Sequence, residues 1–169
     1  MHKPCLILLG GAPGVGKSTV ANLLRQHLAP SVWLDGDDMW RMHPFAVTPR
    51  SKEMVLRHIR WLLTSFLSEP FDYVLFSWVM HEPGIAQQIL RALDPAGHIL
   101  LHVTLACSEQ TLLKRISGDS AERDPALCLD RLRSVRQNYP GAVDTDALDP
   151  EQTAKLILGM ISNLSRNAW

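Results

Sequence analysis

Residues 11–18 read Gly11-Ala12-Pro13-Gly14-Val15-Gly16-Lys17-Ser18, followed by Thr19. The glycines leave successive backbone N–H groups free to converge on one anion without a Cβ in the way. A helix starting behind them adds the positive end of its dipole to the same point. Lys17 supplies a full charge suited to β- and γ-phosphate oxygens, and the Ser18 hydroxyl suits the shell of a magnesium ion. The stretch fits G-x-x-x-x-G-K-[ST] with no mismatch and lies between a predicted strand and a predicted helix, the context that gives this pattern its meaning. Gly11 to Thr19 therefore predict a cradle for a nucleoside triphosphate.

Three further groups of residues could do chemistry. "LDGDD" (34–38) places Asp35 and Asp37 just past an apolar run. "KRISGDSAERD" (114–124) carries Arg115 and Arg123 around a small polar stretch. Arginine meets phosphate oxygens with a planar fork and keeps its charge. Trp40, Arg41, His43, Arg57, Trp78 and His81 supply rings and cations that fit a sugar, a base or an antibiotic ring equally well. The histidines show no paired metal-ligand spacing.

These groups must be held by strands and helices, and the apolar pattern supplies both in alternation. Short strands are predicted at 5–9, 31–35, 72–78, 98–106 and 141–145. Helical period follows each of the first four: Val20, Leu23, Leu24 and Leu28 share one face, as do Val55, Ile59, Leu62, Leu63 and Phe66. Ile85, Ile89, Leu90 and Leu93 mark a third helix, Leu112, Leu113 and Ile116 a fourth, and Leu129, Leu132 and Val135 a fifth. A last helix buries Ala154, Ile157, Leu158 and Ile161. Starts are signalled by Thr48-Pro49, Pro83, Ser108, Asp124-Pro125 and Asp149-Pro150 with Gln152. Nearly continuous apolar strands between helices predict a parallel sheet covered on both faces, a three-layer α/β sandwich.

Composition narrows the function. The 169 residues are 46% hydrophobic and 20% charged, as expected of one globular domain over 1–169. Lys plus Arg and Asp plus Glu number 17 each, so no excess charge points to nucleic acid or to an anionic membrane. No window approaches the roughly 18 apolar residues of a membrane span. Only Met1 to Pro4 precede the first apolar run, which predicts no targeting peptide. Cys5, Cys107 and Cys128 lack C-x-x-C spacing and suit buried thiols of a cytoplasmic protein.

With the glycine loop, "LDGDD" and "VDTDALDPEQTAKLI" (143–157) on the page, the chain resembles the small-molecule and nucleotide kinase branch of the P-loop proteins. Shikimate, gluconate, adenylylsulfate and chloramphenicol kinases are members of that branch. The resemblance implies a five-stranded parallel sheet in the order 2-3-1-4-5 with ligands at the carboxyl ends of the strands, a placement the general rule for open α/β sheets also gives. It implies ATP and Mg2+ as cofactors, Ser18 and Asp35 at the metal, and Asp37 at the acceptor hydroxyl. It further implies a mobile lid near 114–124 whose Arg115 and Arg123 cover the transferring phosphoryl group. Residues 143–157 would close the adenine site. The acceptor would lie among Trp40, Arg41, His43, Arg57, Trp78 and His81. The third strand departs from many P-loop proteins: it ends in Ser77-Trp78, not in an acid, and Asp72 sits at its opposite end. No N-K-x-D guanine reader is present.

The activity implied is transfer of the ATP γ-phosphate to a hydroxyl of a small molecule, with a nucleoside or nucleotide as the nearest variant acceptor. The rival from another class is an ATP-binding regulatory module with slow hydrolysis and a protein partner. The sequence leaves the acceptor and the oligomeric state open.

Overall fold

The computed structural model describes residues 3–119 and 123–167. Five strands, β1 (Cys5–Gly11), β2 (Ser31–Asp35), β3 (Tyr73–Ser77), β4 (Ile99–Ala106) and β5 (Val143–Asp144), form one parallel sheet in the order β2-β3-β1-β4-β5. Six helices follow in sequence: α1 (Lys17–His27), α2 (Pro49–Ser68), α3 (Pro83–Leu90), α4 (Glu109–Ser117), α5 (Pro125–Asn138) and α6 (Pro150–Asn167). The sheet order is the one the resemblance implies.

β1 shows why the sheet must be covered twice. Cys5, Ile7 and Leu9 point into one core, with Val20, Leu24, Leu132, Val135, Ile157 and Ile161 from α1, α5 and α6. Leu6 and Leu8 point into the other, with Val55, Ile59 and Leu63 of α2 and Ala86 and Ile89 of α3. A strand buried on both faces has no position for a polar residue, hence the unbroken run "CLILL".

Helix starts form where the capping chemistry asks for them. Thr48 and Ser51 exchange bonds at the head of α2, Ser51 N donating to Thr48 Oγ1 (3.1 Å) and Thr48 N to Ser51 Oγ (2.8 Å). Ser108 accepts from Thr111 N, and Asp124 from Ala126 N. Asp149 and Gln152 close a reciprocal pair at the start of α6. Each bond satisfies an N–H that the first helical turn leaves without an internal partner.

The structure differs from the sequence reading in small ways. β1 runs on to Gly11 and β5 is only two residues long. "GDDMW" folds as a 3-10 turn, Gly36–Trp40, headed by Asp35. Leu113, one of the apolar residues that mark the fourth helix, is 40% exposed, because α4 buries Leu112 and Ile116.

Candidate active site

The parallel register aligns the site before any side chain is considered. Asp35 at the end of β2 lies opposite Ser77 of β3, and Ser77 lies opposite Leu9 of β1. Two residues beyond Leu9 the chain leaves the sheet at Gly11 and turns into the glycine loop. The acidic turn and the loop are thereby delivered side by side at the carboxyl edge.

Gly11, Gly14 and Gly16 all have positive φ. Gly14 cannot be replaced for a second reason: a Cβ there would stand 2.4 Å from Ile116 Cγ2, so α4 packs directly on the loop backbone. Lys17 is 8% exposed, and its Nζ donates to Ala12 O at 2.9 Å, which lays the ammonium along the inside of the loop. Burial lowers its pKa to about 8, while Asp37 and Asp35 pull the other way and Arg123 adds to the lowering.

Ser18 Oγ donates to Asp35 Oδ2 at 2.8 Å. The other Asp35 oxygen accepts from Asp37 N at 3.1 Å. Asp37 Oδ1 in turn accepts from the Trp78 indole Nε1 at 3.1 Å. One hydrogen-bonded chain thus joins the glycine loop, the acidic turn and the end of β3. Asp37 has an exposed edge, yet the crowding around its carboxyl desolvates it and raises its pKa. The like charge of Asp35 works in the same direction, and Lys17, the Trp78 bond and Arg123 oppose it.

Arg115 and Arg123 have different surroundings. Arg123 pairs with Asp119 at 3.0 Å and is close enough to Lys17 and Asp37 to influence both electrostatically. Arg115 is tied into the protein: Nη1 donates to Val15 O (3.1 Å) and Thr145 Oγ1 (2.9 Å), and Nη2 to Thr145 O (2.8 Å). Its fork links the glycine loop to the turn after β5. Of the segment 114–124, residues 120–122 lie outside the described residues, and 114–117 are the last turn of α4.

Around the acceptor side, Trp40 packs on Phe45 with ring centroids 6.2 Å apart, and Arg41 pairs with Asp38 at 2.7 Å. Arg57 lines two cavities on the flank of α2. One, about 420 Å³, is bounded by Met39, Arg57, His58, Trp61 and Leu62. The other, about 510 Å³, reaches Met42, Thr48, Arg50 and Met54. His43 is exposed, in the loop before α2. His81 is buried, and α5 holds it: Arg131 Nη1 meets its Nε2, while Ser134 Oγ donates to its carbonyl at 3.1 Å. Burial and the neighbouring Arg131 charge lower its pKa. The structure therefore brings Lys17, Ser18, Asp35, Asp37 and Trp78 together, while Arg57 lines the cavities beside α2 and His81 is held by α5.

Sequence reasoning passed over Arg131 and the bond between Thr145 and Arg115. α5 carries Arg131, Arg133 and Arg136, and nothing in their spacing distinguishes the one that faces His81. Thr145 falls at the end of the predicted fifth strand and within the stretch 143–157, neither of which signals Arg115 as its partner.

Comparison with known proteins places these features in a lineage. Residues 7–135 match the family model described as an AAA domain. No curated protein matches the chain. Among solved structures, a gluconokinase from Sinorhizobium meliloti 1021 superposes with a TM-score of 0.73 at 18% identity, covering 99% of this chain and 97% of that one. The tunicamycin resistance protein of Deinococcus radiodurans gives a TM-score of 0.69 at 19% identity, over 94% and 96% of the two chains. Thymidylate kinase from Candida albicans gives 0.65 at 16% identity, over 95% and 92%. With its loop, its sheet order and a family match spanning most of its length, the chain belongs to the AAA-domain family of P-loop nucleotide-binding proteins and has the fold of the small kinases.

Proposed function

We propose that the protein is a phosphotransferase that moves the γ-phosphoryl group of ATP to a hydroxyl of a small molecule. The observation that carries this reading is the chain Ser18–Asp35–Asp37–Trp78 beside the Lys17 ammonium. It sets one carboxylate against the loop hydroxyl and a second one, two residues on, with one oxygen held by Trp78 and, among the described residues, no hydrogen bond to the other.

The acceptor oxygen attacks the γ-phosphorus in line, the bond from phosphorus to the β-bridging oxygen breaks, and ADP leaves with that electron pair. The hydroxyl proton passes to Asp37, whose raised proton affinity suits a group that must take one up. Lys17 and Arg123 hold the charge of the transferring group, and the loop N–H groups hold the β-phosphate. The donor set of one hydroxyl and one carboxylate at 2.8 Å fits a magnesium ion, which Ser18 and Asp35 would hold. Bound there, Mg2+ would neutralise phosphate charge and orient the γ-phosphoryl group. Positioning and charge stabilisation supply most of the acceleration.

Arg57 and the two cavities beside α2 support an acceptor site on that flank. A nucleoside or nucleotide is the nearest variant acceptor, and the fold shared with a thymidylate kinase favours keeping it in the test. Three free, buried cysteines support a cytoplasmic setting. Among the described residues, no helix is long and apolar enough to cross a membrane.

The test is ADP release from Mg·ATP with and without a panel of sugars, sugar acids, nucleosides, nucleotides and antibiotics, with mass-spectrometric detection of the phosphorylated product. Acceptor-dependent turnover is the expected result. Indifference to every acceptor, with slow hydrolysis alone, would favour a regulatory module instead.

A further inference from the structure

By residue type, Trp78 is a ring on which an acceptor could stack. Its contacts assign it elsewhere. β3 ends at Ser77, which is in register with Asp35, so the next residue on each strand, Trp78 and Gly36, are neighbours by construction. The indole lies on the bare backbone of Gly36. A Cβ at position 36 would stand 2.5 Å from Trp78 Cγ and 2.6 Å from Cδ1. That approach is possible only because residue 36 has no side chain.

The ring is anchored from behind. Phe76 meets it at 6.2 Å between centroids, and Trp78 packs against the core formed with α2 and α3. Its backbone is fixed too, Trp78 N donating to Leu9 O at 3.2 Å and Met80 N to Trp78 O at 3.0 Å. From this fixed frame Nε1–H reaches Asp37 Oδ1 at 3.1 Å. Among the described residues, no other group is hydrogen-bonded to the Asp37 carboxylate. The bond occupies one oxygen and leaves Oδ2 as the one that can face an incoming hydroxyl.

We infer that Trp78 is a positioning residue: its indole, seated on Gly36, holds the Asp37 carboxylate in the orientation that receives the acceptor proton. The inference rests on the reading of Asp37 as proton acceptor, and its test separates the two. A single hydrogen bond on a carboxylate with two rotatable torsions decides how much time the free oxygen spends in line with the acceptor. Misplacement on the order of 1 Å can cost about 10²-fold in rate. An indole is well chosen for the task, being a donor only, so it cannot compete for the proton.

The experiment compares wild type, Trp78→Phe, Asp37→Asn and the double variant in single-turnover hydrolysis of Mg·ATP, with water as the attacking hydroxyl. ATP affinity is measured by calorimetry beside it. Phenylalanine keeps a ring over Gly36 and removes the N–H. The expected result is a loss of about 10- to 100-fold for Trp78→Phe, with unchanged ATP affinity and no further loss when Trp78→Phe is added to Asp37→Asn. Full activity of Trp78→Phe, or additive losses in the double variant, would overturn the positioning role while leaving Asp37 as the proton acceptor. Full activity of Asp37→Asn would overturn the reading of Asp37 itself, and the inference with it. A readout independent of turnover is the 15N–1H indole resonance of Trp78, identified by its loss in Trp78→Phe. In Asp37→Ala it should move and exchange faster with water; an unmoved resonance would show that the bond does not form in solution.

Discussion

The two sides of the sheet's carboxyl edge are built to different standards. On the nucleotide side nearly every polar group is committed: Lys17 to Ala12, Ser18 to Asp35, Arg115 to Val15 and Thr145. On the side proposed for the acceptor the walls are loosely dressed. Phe45 and Trp61 are 65% and 69% exposed. A loop that binds nucleotide phosphates can be fixed in advance by backbone geometry. The site proposed for the acceptor is carried by side chains on a helix flank, where replacement disturbs little. The two hydrophobic cores divide along the same line, one behind the loop with α1, α5 and α6, the other behind α2 and α3.

If that contrast is real, variants on the two sides should fail in different ways. Lys17→Ala should have the largest effect, about 10²- to 10³-fold lower phosphoryl transfer, with the fold retained by circular dichroism; near wild-type transfer would remove the loop from the mechanism. Arg57→Ala, on the other side, should raise the acceptor KM about tenfold, some 1.4 kcal/mol of binding, and leave ATP affinity alone. A matching loss of ATP affinity would erase the distinction between the two sides.

Effects on stability sharpen the comparison. Arg115→Ala removes charged hydrogen bonds from a half-buried position and should cost about 1.5–3 kcal/mol of stability at most, read by urea denaturation, together with weaker ATP binding. Gly36→Ala forces a methyl group against Trp78 and should cost about 1–3 kcal/mol by overpacking. An unchanged denaturation midpoint would mean that the indole can retreat freely.

The smallest predicted effect is a pH dependence. The folded pKa of His81 is lowered below its ordinary value of 6.5 by burial and by Arg131. The unfolded chain therefore takes up a proton that the folded chain resists. Stability from this group is unaffected above 6.5 and is lost as pH falls below it. Glu82 and Asp130 oppose the lowering and moderate the loss. His81→Gln should show a shallower fall in melting temperature between neutral and mildly acidic pH than wild type. Equal slopes would mean that His81 titrates normally.

Much of this was legible in the sequence, for reasons that differ by region. The glycine loop could be read because its chemistry needs particular residue types at fixed spacing. The helix starts at Thr48, Ser108, Asp124 and Asp149 could be read because capping is local, satisfied within three residues. Arg115 shows where such reading stops. Its partners Val15 and Thr145 lie 100 and 30 positions away. No local pattern encodes a bond of that length. Leu113 is exposed for a simple reason: an apolar residue beside the buried stripe satisfies the helical period whether or not a neighbour covers it.

The Arg115 fork has a consequence for the thermodynamics of ligand capture. By clamping the loop carbonyl of Val15 to the turn after β5, it removes freedom from both segments before any ligand arrives. The ordering cost of association is thus largely met during folding, so nucleotide binding here should carry a small conformational-entropy penalty. Cutting the clamp would return that freedom to the unliganded protein, and the penalty would reappear as a less favourable binding entropy at nearly constant enthalpy.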